Sequence, residues 1–302
     1  MDFLTMSSSL PSILLESVLS SLAMARRTRE RVVGSRESIG SVTSYSRWTL
    51  AFAFTQKAYN RAMQDRDSIP DEFASARRAM VEGQIRKRGV SSPRVLEAML
   101  SVPRHEFVPA EFQSDAYADK PLPIGEGQTI SQPYIVGAMT EALELMGGER
   151  VLEIGAGSGY QAAVLSLLAS EVITVESQTQ LALSAQERLT DLGYTNVHVH
   201  NGDGSAGFPD AAPYDAILVT AAAPEIPEVL AAQLREGGRL VIPVGSQENQ
   251  ELLQARKENG ELKTRVLFDC RFVPLLGRYG WSRDGWREDT KRWGRGPGQK
   301  SS

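Results

Sequence analysis

The sequence predicts an α/β fold built on a doubly wound, mostly parallel sheet, and two observations carry this prediction. Apolar stretches typical of buried strands alternate with helical patterns over residues 149–245, and such alternation indicates a parallel sheet with helices on both faces. The first of these strands turns into its helix through glycines at alternate positions, Gly155, Gly157 and Gly159. A turn of this kind brings bare backbone against a ligand at a helix N-terminus.

The composition limits the kinds of protein that this chain can be. Its 302 residues are 41% hydrophobic and 23% charged, which is the balance of a globular protein. The net charge of −4 gives no reason to expect nucleic acid as a partner, and no apolar run approaches the length needed to span a membrane. The single cysteine, Cys270, excludes an intramolecular disulfide and fits a reducing compartment. We therefore expect a cytoplasmic protein without a nucleic acid or membrane partner, and we also expect it to be a monomer.

The two ends of the chain differ from its middle. Residues 1–70 are rich in serine and leucine, and their apolar segment comes before the arginines, the reverse of the order in a secretory signal. We predict a poorly ordered extension over residues 1–70, with export or transit as the alternative. A catalytic domain is predicted over residues 71–280 and a flexible basic tail over residues 281–302.

Helices are predicted at the start of the central domain. The spacing of apolar residues indicates helices over residues 73–88 and 94–100, the second capped by serine before proline. Residues 121–134 hold several prolines and glycines and are predicted as an irregular loop. A further helix is expected over residues 135–145, for which Ser131 is the candidate N-cap.

The parallel sheet is predicted from five strands and the helices between them. The strands are expected over residues 151–154, 172–176, 196–200, 214–220 and 239–245. The helices are expected over residues 160–168, 181–192 and 226–234. A terminal hairpin, turning at Glu258-Asn259-Gly260, is expected to complete the domain over residues 252–273.

The glycine motif discriminates between classes of nucleotide site. A dinucleotide fingerprint needs glycine at its sixth position, which is Tyr160 when counted from Gly155, and a Walker loop needs a Gly-Lys-Ser/Thr sequence that is missing. The remaining pattern, Glu153-x-Gly-x-Gly-x-Gly after a strand, resembles the first motif of S-adenosylmethionine-dependent methyltransferases. An ordinary glycine-rich turn is the alternative.

Polar residues at the ends of the later strands agree with such a cofactor, since ligands of open parallel sheets bind beyond the carboxyl ends of the strands. Glu176 follows the second strand and can accept both hydroxyls of a ribose. Asp203, after the third strand, is placed to accept from an adenine amino group, and Thr220 follows the fourth. A solvated strand end and an Asx-turn are the alternatives for the two acids.

Histidines offer little chemistry in this sequence. His198 and His200 alternate on one predicted strand, but neither a cysteine nor a further histidine is near enough to complete a metal site. We therefore predict no metal. His105 lies beside Arg104 and Glu106, and its expected role is a structural hydrogen bond.

Blocks along residues 73–280 resemble the bacterial type of protein-L-isoaspartate O-methyltransferases. They include Val102-Pro-Arg-His-Glu-Phe-Val-Pro, Gly127-Gln-Thr-Ile-Ser-Gln-Pro-Tyr-Ile-Val, Val151-Leu-Glu-Ile-Gly-Ala-Gly-Ser-Gly-Tyr-Gln-Ala, Gly237-Gly-Arg-Leu-Val-Ile-Pro-Val-Gly and Phe272-Val-Pro-Leu-Leu-Gly. The glycine motif is shared by methyltransferases generally, whereas the Gln-Thr-Ile-Ser-Gln-Pro block is far more specific.

This resemblance implies a fold, a cofactor and a substrate. The fold would be a seven-stranded Rossmann-like methyltransferase sheet with N-terminal helices and a C-terminal antiparallel hairpin, and the cofactor S-adenosyl-L-methionine. The reaction would methylate the free α-carboxylate of L-isoaspartyl residues in age-damaged proteins, and the ester would return through a succinimide to aspartate. A carboxylate is already ionised at pH 7, so no strong general base is needed.

The resemblance also implies the roles of individual residues. Ser131 matches the family's active-site serine, and we expect it to orient the carboxylate rather than to form a covalent bond. The implied substrate-binding residues are Thr129, Ile130, Ser131, Pro243 and Val244. The implied cofactor-binding residues are Glu153, Gly155, Gly157, Ser158, Gly159, Glu176, Asp203, Gly204 and Thr220.

Two other functions stay open at this point. A methyltransferase of the same fold could act on another acid, but the intact block around Ser131 argues against it. A non-catalytic adaptor could bind isoaspartyl proteins, but such a relative is expected to lose Ser131 or Glu176 and to gain an interaction domain. The short tail is too small for such a domain.

Overall fold

The computed structural model of the protein describes residues 72–282. The predicted extension lies outside these residues, as does the tail beyond position 282, so their boundaries stay predictions. Within the described part, no helix is long and apolar enough to cross a membrane.

A long helical segment begins the described chain. Helix α1 covers Ala74–Met80 and continues through a π-helical turn, Val81–Ile85, into a 3-10 turn, Arg86–Arg88. Gly89 ends the segment with a left-handed φ of 107°, a conformation that glycine adopts without strain. The predicted helix over residues 73–88 is therefore confirmed.

Helix α2, Pro93–Ser101, confirms a second predicted helix but not its predicted cap. The side chain of Ser92 makes no capping hydrogen bond. Instead, the Glu141 carboxylate accepts hydrogen bonds from the backbone N–H groups of Ser91 and Ser92 at 2.7 and 2.6 Å. A carboxylate from a neighbouring helix is the stronger acceptor, because charge-assisted hydrogen bonds exceed neutral ones.

The stretch predicted as an irregular loop, residues 121–134, contains a small antiparallel sheet. Strand β1, Leu122–Gly125, pairs with strand β2, Gln128–Ile130. The prediction of a loop was wrong because the glycines form a tight reversal between strands: Gly125 and Gly127 have φ of 92° and 70°. Residues with positive φ are what short hairpin turns require.

Helix α3, Pro133–Ala142, follows directly after this hairpin. Its N-cap residue is Gln132 and not Ser131, and the cap makes no side-chain hydrogen bond. Proline at the first helical position needs no partner for a backbone N–H. Ser131 therefore does not cap α3. It lies between the end of β2 and the start of α3.

Seven strands form the main sheet. They are β3 Arg150–Ile154, β4 Glu171–Glu176, β5 Val197–Asn201, β6 Tyr214–Val219, β7 Leu234–Gly245, β8 Gln250–Glu258 and β9 Glu261–Cys270. Their order is β5-β4-β3-β6-β7-β8-β9. The first five strands in this order pair in parallel, whereas β8 pairs antiparallel with β7 and β9 pairs antiparallel with β8. The doubly wound, mostly parallel sheet and its terminal hairpin are confirmed.

Helices cover both faces of this sheet. They are α4 Tyr160–Ser166, α5 Thr179–Asp191 and α6 Glu228–Gln233. Consecutive residues of β3 point to opposite sides, so Val151 joins one buried apolar cluster and Leu152 the other. The strand order reverses between β3 and β6, and a crevice at such a switch point is where open α/β sheets bind ligands.

Candidate functional site

A pocket opens at this switch point, beyond the carboxyl ends of the strands. Its walls are the loop between β3 and α4, which we call the glycine loop (residues 155–159), the end of β2, and residues 273–276. The predicted site residues in its lining are Thr129, Ile130, Ser131, Gly155, Gly157, Ser158, Glu176, Gly204 and Thr220. One pocket thus combines the residues expected to hold a cofactor with those expected to hold a substrate.

The glycine loop presents backbone to this pocket. Gly155 has φ of 95°, and a Cβ atom on it would lie 2.3 Å from Thr220 Oγ1. The Thr220 hydroxyl cannot easily move away, because it is within hydrogen-bond distance of the carbonyls of Ile154, at 2.9 Å, and Gly155, at 2.7 Å. Thr220 therefore supports the glycine loop with its hydroxyl. Gly159 lies outside the lining and serves as the left-handed N-cap of α4, with φ of 90°.

Glu176 places a carboxylate at the edge of the glycine loop. Its Oε2 accepts from the backbone N–H of Gly157, and its Oε1 accepts from that of Gln178, both at 2.9 Å. A carboxylate offers about four acceptor positions. These two bonds and a longer one from the Ser177 hydroxyl to Oε1, at 3.4 Å, therefore fix its orientation without using all of its capacity. The arrangement suits two neighbouring hydroxyls of a ribose.

Arg188, on α5, supports the glycine loop from behind. Its Nη1 donates to the carbonyl of Ser158 at 2.9 Å, and its Nη2 donates to Ser184 Oγ at 3.3 Å. Burial lowers the pKa of Arg188, but a guanidinium stays charged at neutral pH. No sequence pattern indicates this residue, because its role depends on where α5 packs against the glycine loop.

Asp203 lies outside the pocket lining, although the next residue, Gly204, belongs to it. Its Oδ1 accepts from the backbone N–H and hydroxyl of Ser205 at 3.0 and 2.6 Å, and its Oδ2 accepts from the N–H of Arg278 at 2.8 Å. The Asp203 carboxylate thus anchors the backbone at Arg278. This anchor lies just after residues 273–276, which form one wall of the pocket.

Three further predicted residues are also not brought into the lining: Glu153, Pro243 and Val244. Pro243 and Val244 lie at the end of β7, where the Pro243 carbonyl accepts from the N–H of Ala223 at 3.0 Å. Val244 forms an isolated β-bridge with Ala223 and packs against the buried apolar cluster that contains Leu152.

Glu153 is completely buried on β3. Its Oε2 accepts from the Thr174 hydroxyl at 2.5 Å, whereas its Oε1 has no hydrogen-bond partner among residues 72–282. Burial, more than the nearby charge of Glu176, raises the pKa of Glu153 from 4.5 to about 8. The side chain is therefore neutral at pH 7 and belongs to the core beneath the glycine loop.

The buried acid makes stability depend on pH. Because the folded-state pKa of about 8 exceeds the ordinary value of 4.5, the folded protein holds a proton that the unfolded chain releases between these values. The free energy of unfolding is thus expected to fall as pH rises through this window, by at most about 1.4 kcal/mol per pH unit. Urea unfolding from pH 5 to 8 should show this slope in the wild type and a flatter profile in Glu153→Gln, whereas parallel profiles would contradict it.

Ser131 lines the same pocket as the glycine loop. No hydrogen bond joins its hydroxyl to another described residue, and its carbonyl accepts from Arg104 Nη2 at 2.7 Å. The backbone of Ser131 is therefore anchored while its hydroxyl stays available. Arg104, like Arg188, contacts the pocket wall but was not singled out from the sequence, where it appears only as the neighbour of His105.

The other candidates for reactive chemistry have structural partners. His105 Nδ1 lies 2.7 Å from the Tyr117 hydroxyl, and His200 stacks on Phe208 with ring centroids 4.1 Å apart. Burial raises the pKa of Cys270 to about 12, so the thiol is not a nucleophile at neutral pH. In the part of the chain described, no group of three or more His, Cys, Asp or Glu side chains could hold a metal.

A family model described as protein-L-isoaspartate(D-aspartate) O-methyltransferase matches residues 75–280. The chain belongs to this family. Relatives named protein-L-isoaspartate O-methyltransferase include one from Roseiflexus castenholzii, 55% identical over 72% of this chain and 99% of the relative. Another, from Geobacter metallireducens, is 56% identical over 69% of this chain and 97% of the relative.

Solved structures of the family share the fold. One, described as a protein-L-isoaspartate O-methyltransferase, has a TM-score of 0.63 and 33% identity and covers 68% of this chain and 67% of its own. A second, from Plasmodium falciparum and in complex with S-adenosyl-L-homocysteine, has a TM-score of 0.59 and 26% identity. It covers 66% of this chain and 97% of its own.

Proposed function

We propose that this protein transfers a methyl group from S-adenosyl-L-methionine to the free α-carboxylate of L-isoaspartyl residues in damaged proteins. The observation that carries the proposal is that Ser131 lines the same pocket as the glycine loop and Glu176. The glycine loop alone would indicate only which methyl donor is bound, and not which acceptor. The wall formed by Thr129, Ile130 and Ser131 adds a place for an acceptor beside it.

The chain's own residues fit the cofactor. The Glu176 carboxylate keeps acceptor capacity for the ribose hydroxyls. Gly155, whose missing Cβ makes room for Thr220, is in the pocket lining, where its backbone can face the methionine portion. The apolar side chains of Ile154, Val175 and Leu275 line the pocket and would exclude water. When bound, S-adenosylmethionine supplies an electrophilic methyl group. The protein therefore needs to hold the two reactants and align them, and it does not need to activate the methyl group.

The substrate carboxylate is the nucleophile. In an isoaspartyl residue the chain runs through the side-chain carboxyl, which leaves the α-carboxylate free and ionised at pH 7. The Ser131 hydroxyl donates a hydrogen bond to one carboxylate oxygen and leaves the other directed at the methyl group. Alignment of this kind can supply most of the rate enhancement of a displacement. The ester that forms is prone to cyclise to a succinimide, whose hydrolysis returns aspartate.

The setting of the enzyme is part of the proposal. The net charge of −4 supports the absence of a nucleic acid partner, and the lone cysteine supports a cytoplasmic setting. A monomer without a membrane partner completes the proposed setting. The catalytic unit would be residues 71–280, with an extension over residues 1–70 and a tail over residues 281–302.

A tritium-transfer assay tests the function. Labelled S-adenosylmethionine would be incubated with the protein and with a pair of peptides that differ only in containing isoaspartate or normal aspartate. We expect label in the isoaspartyl peptide alone. Equal labelling of both peptides would instead indicate a methyltransferase that acts on other acids, and label in neither would favour a binding protein.

Ser131→Ala tests the role of the serine. We expect kcat/KM for the isoaspartyl peptide to fall roughly ten- to hundredfold, the value of one hydrogen bond to a charged group, while the dissociation constant of S-adenosylmethionine stays the same. Ser101→Ala is the matched control, since its hydroxyl only bonds the Glu97 carbonyl on α2. Undiminished transfer by Ser131→Ala would disprove the proposed role.

A further inference from the structure

A buried arginine lies directly behind the wall that carries Ser131. Arg104 is 0% exposed. Its Nε donates to the carbonyl of Ala116 and its Nη2 to the carbonyl of Ser131, both at 2.7 Å. Its Cζ lies 4.8 Å from the centroid of the Tyr160 ring, the first residue after the glycine loop. Arg104 therefore contacts the substrate side and the cofactor side of the pocket at once.

The positive charge of Arg104 is not balanced within the described part of the chain. It interacts there with two backbone carbonyls and with the uncharged side chains of Tyr160 and Tyr117, and no carboxylate lies in salt-bridge distance. A guanidinium keeps its proton even when burial lowers its pKa. Burial of an unpaired charge is unfavourable, so an anion that enters the neighbouring pocket would gain from it.

We propose that Arg104 is the counter-charge of the substrate's α-carboxylate and the positioning residue of Ser131. The inference rests on the proposed function, which brings a carboxylate to the Ser131 hydroxyl. The hydrogen bond from Nη2 fixes the backbone that carries this hydroxyl, and the charge lies one backbone group behind it. An arginine suits both tasks, because its planar fork can hold two carbonyls while it remains charged.

The charge would distinguish substrate from product. In the transfer, a carboxylate oxygen forms a bond to the methyl carbon, the bond between carbon and sulfur breaks, and its electron pair stays on sulfur. The negative charge of the carboxylate and the positive charge of the sulfonium both disappear. A neutral ester gains nothing from Arg104, so the pocket is expected to bind the carboxylate and to release the ester.

The preference of the pocket for a carboxylate over a neutral group can be measured by the binding of two peptides in the presence of S-adenosyl-L-homocysteine. One peptide carries isoaspartate, and the other carries the same residue with an α-carboxamide in place of the carboxylate. By calorimetry, we expect the wild type to prefer the carboxylate by roughly tenfold or more, as for a partly screened buried charge. In Arg104→Gln, the ratio of the two dissociation constants is expected to fall about tenfold. Arg104→Lys is expected to keep it while kcat falls, since lysine cannot hold both carbonyls.

Arg188→Gln is the matched control. It removes another arginine that bonds a backbone carbonyl of the pocket, that of Ser158, and is expected to weaken binding of S-adenosyl-L-homocysteine without changing the preference between peptides. The proposal is overturned if Arg104→Gln keeps the wild-type preference within about twofold, or if Arg188→Gln loses it equally. If Arg104→Gln does not fold, Arg104→Lys decides: loss of the preference with the charge retained contradicts the proposal. Failure of the proposed function would appear separately, as a wild type that methylates no isoaspartyl peptide.

Discussion

Gly155→Ala is expected to weaken the binding of S-adenosylmethionine by roughly a hundredfold and to destabilise the fold. The added Cβ would lie 2.3 Å from Thr220 Oγ1, on a backbone with φ of 95°. A left-handed conformation costs a residue with a side chain about 1–3 kcal/mol, and the clash forces the glycine loop out of place. Calorimetry of cofactor binding and urea unfolding would measure the two effects.

Two further variants separate the clash from a general effect of alanine. Gly148→Ala is the matched control, because a Cβ added to that exposed glycine would meet no other atom within 4 Å, and its φ is not positive. It should behave as the wild type. Adding Thr220→Ala to Gly155→Ala removes the oxygen that the new Cβ meets and should recover part of the lost affinity. Wild-type affinity in Gly155→Ala alone would contradict the claim that cofactor binding depends on the position of the glycine loop.

Glu176→Ala is the second change with a large expected effect, a rise of roughly 10²–10³ in the dissociation constant of S-adenosylmethionine. The variant loses a carboxylate placed to accept two ribose hydroxyls, and hydrogen bonds to a charged group contribute about 1.5–3 kcal/mol each. It also releases the backbone N–H groups of Gly157 and Gln178, which the carboxylate holds at 2.9 Å. The glycine loop would lose an anchor together with the ligand.

Glu176→Gln should give an intermediate loss, because the amide keeps one acceptor oxygen but not the charge. Glu225→Ala is the control, since that glutamate is exposed on the loop after β6 and lies outside the pocket lining. An unchanged dissociation constant in Glu176→Ala would mean that the ribose is held elsewhere.

The centre of the sheet could be predicted from sequence because β3, β4 and β6 are short, mostly apolar runs followed by helical patterns. The strands predicted at residues 151–154 and 172–176 correspond to β3 and β4 with one residue added to each. The hairpin of β1 and β2 was missed, since its prolines and glycines argued against strands. Backbone pairing and a turn with positive φ outweighed composition in those few residues.

The site was predictable where a residue's position follows from the topology. Gly155, Glu176 and Thr220 lie at the carboxyl ends of adjacent strands, and the parallel order alone brings them to one edge. Asp203 obeys the same rule, yet its oxygens accept from Ser205 and Arg278. The position of a strand end can be predicted, but the local turn decides which donor its side chain accepts from.

Residues that act through the backbone of others could not be predicted. Arg104 and Arg188 each bond one carbonyl of the pocket wall, those of Ser131 and Ser158. These contacts join positions 27 and 30 residues apart along the chain. Since a backbone carbonyl carries no sequence signal, only the packing of the elements reveals such pairs.

The most direct test of the account follows one isoaspartyl peptide through repair by liquid chromatography and mass spectrometry. With the wild type and S-adenosylmethionine, we expect a species heavier by one methyl group, then the succinimide, and then a growing fraction of the normal aspartyl peptide. Ser131→Ala should show the same species, formed more slowly. A wild-type protein that leaves the isoaspartyl peptide unchanged, or that esterifies the aspartyl peptide at the same rate, would contradict the account.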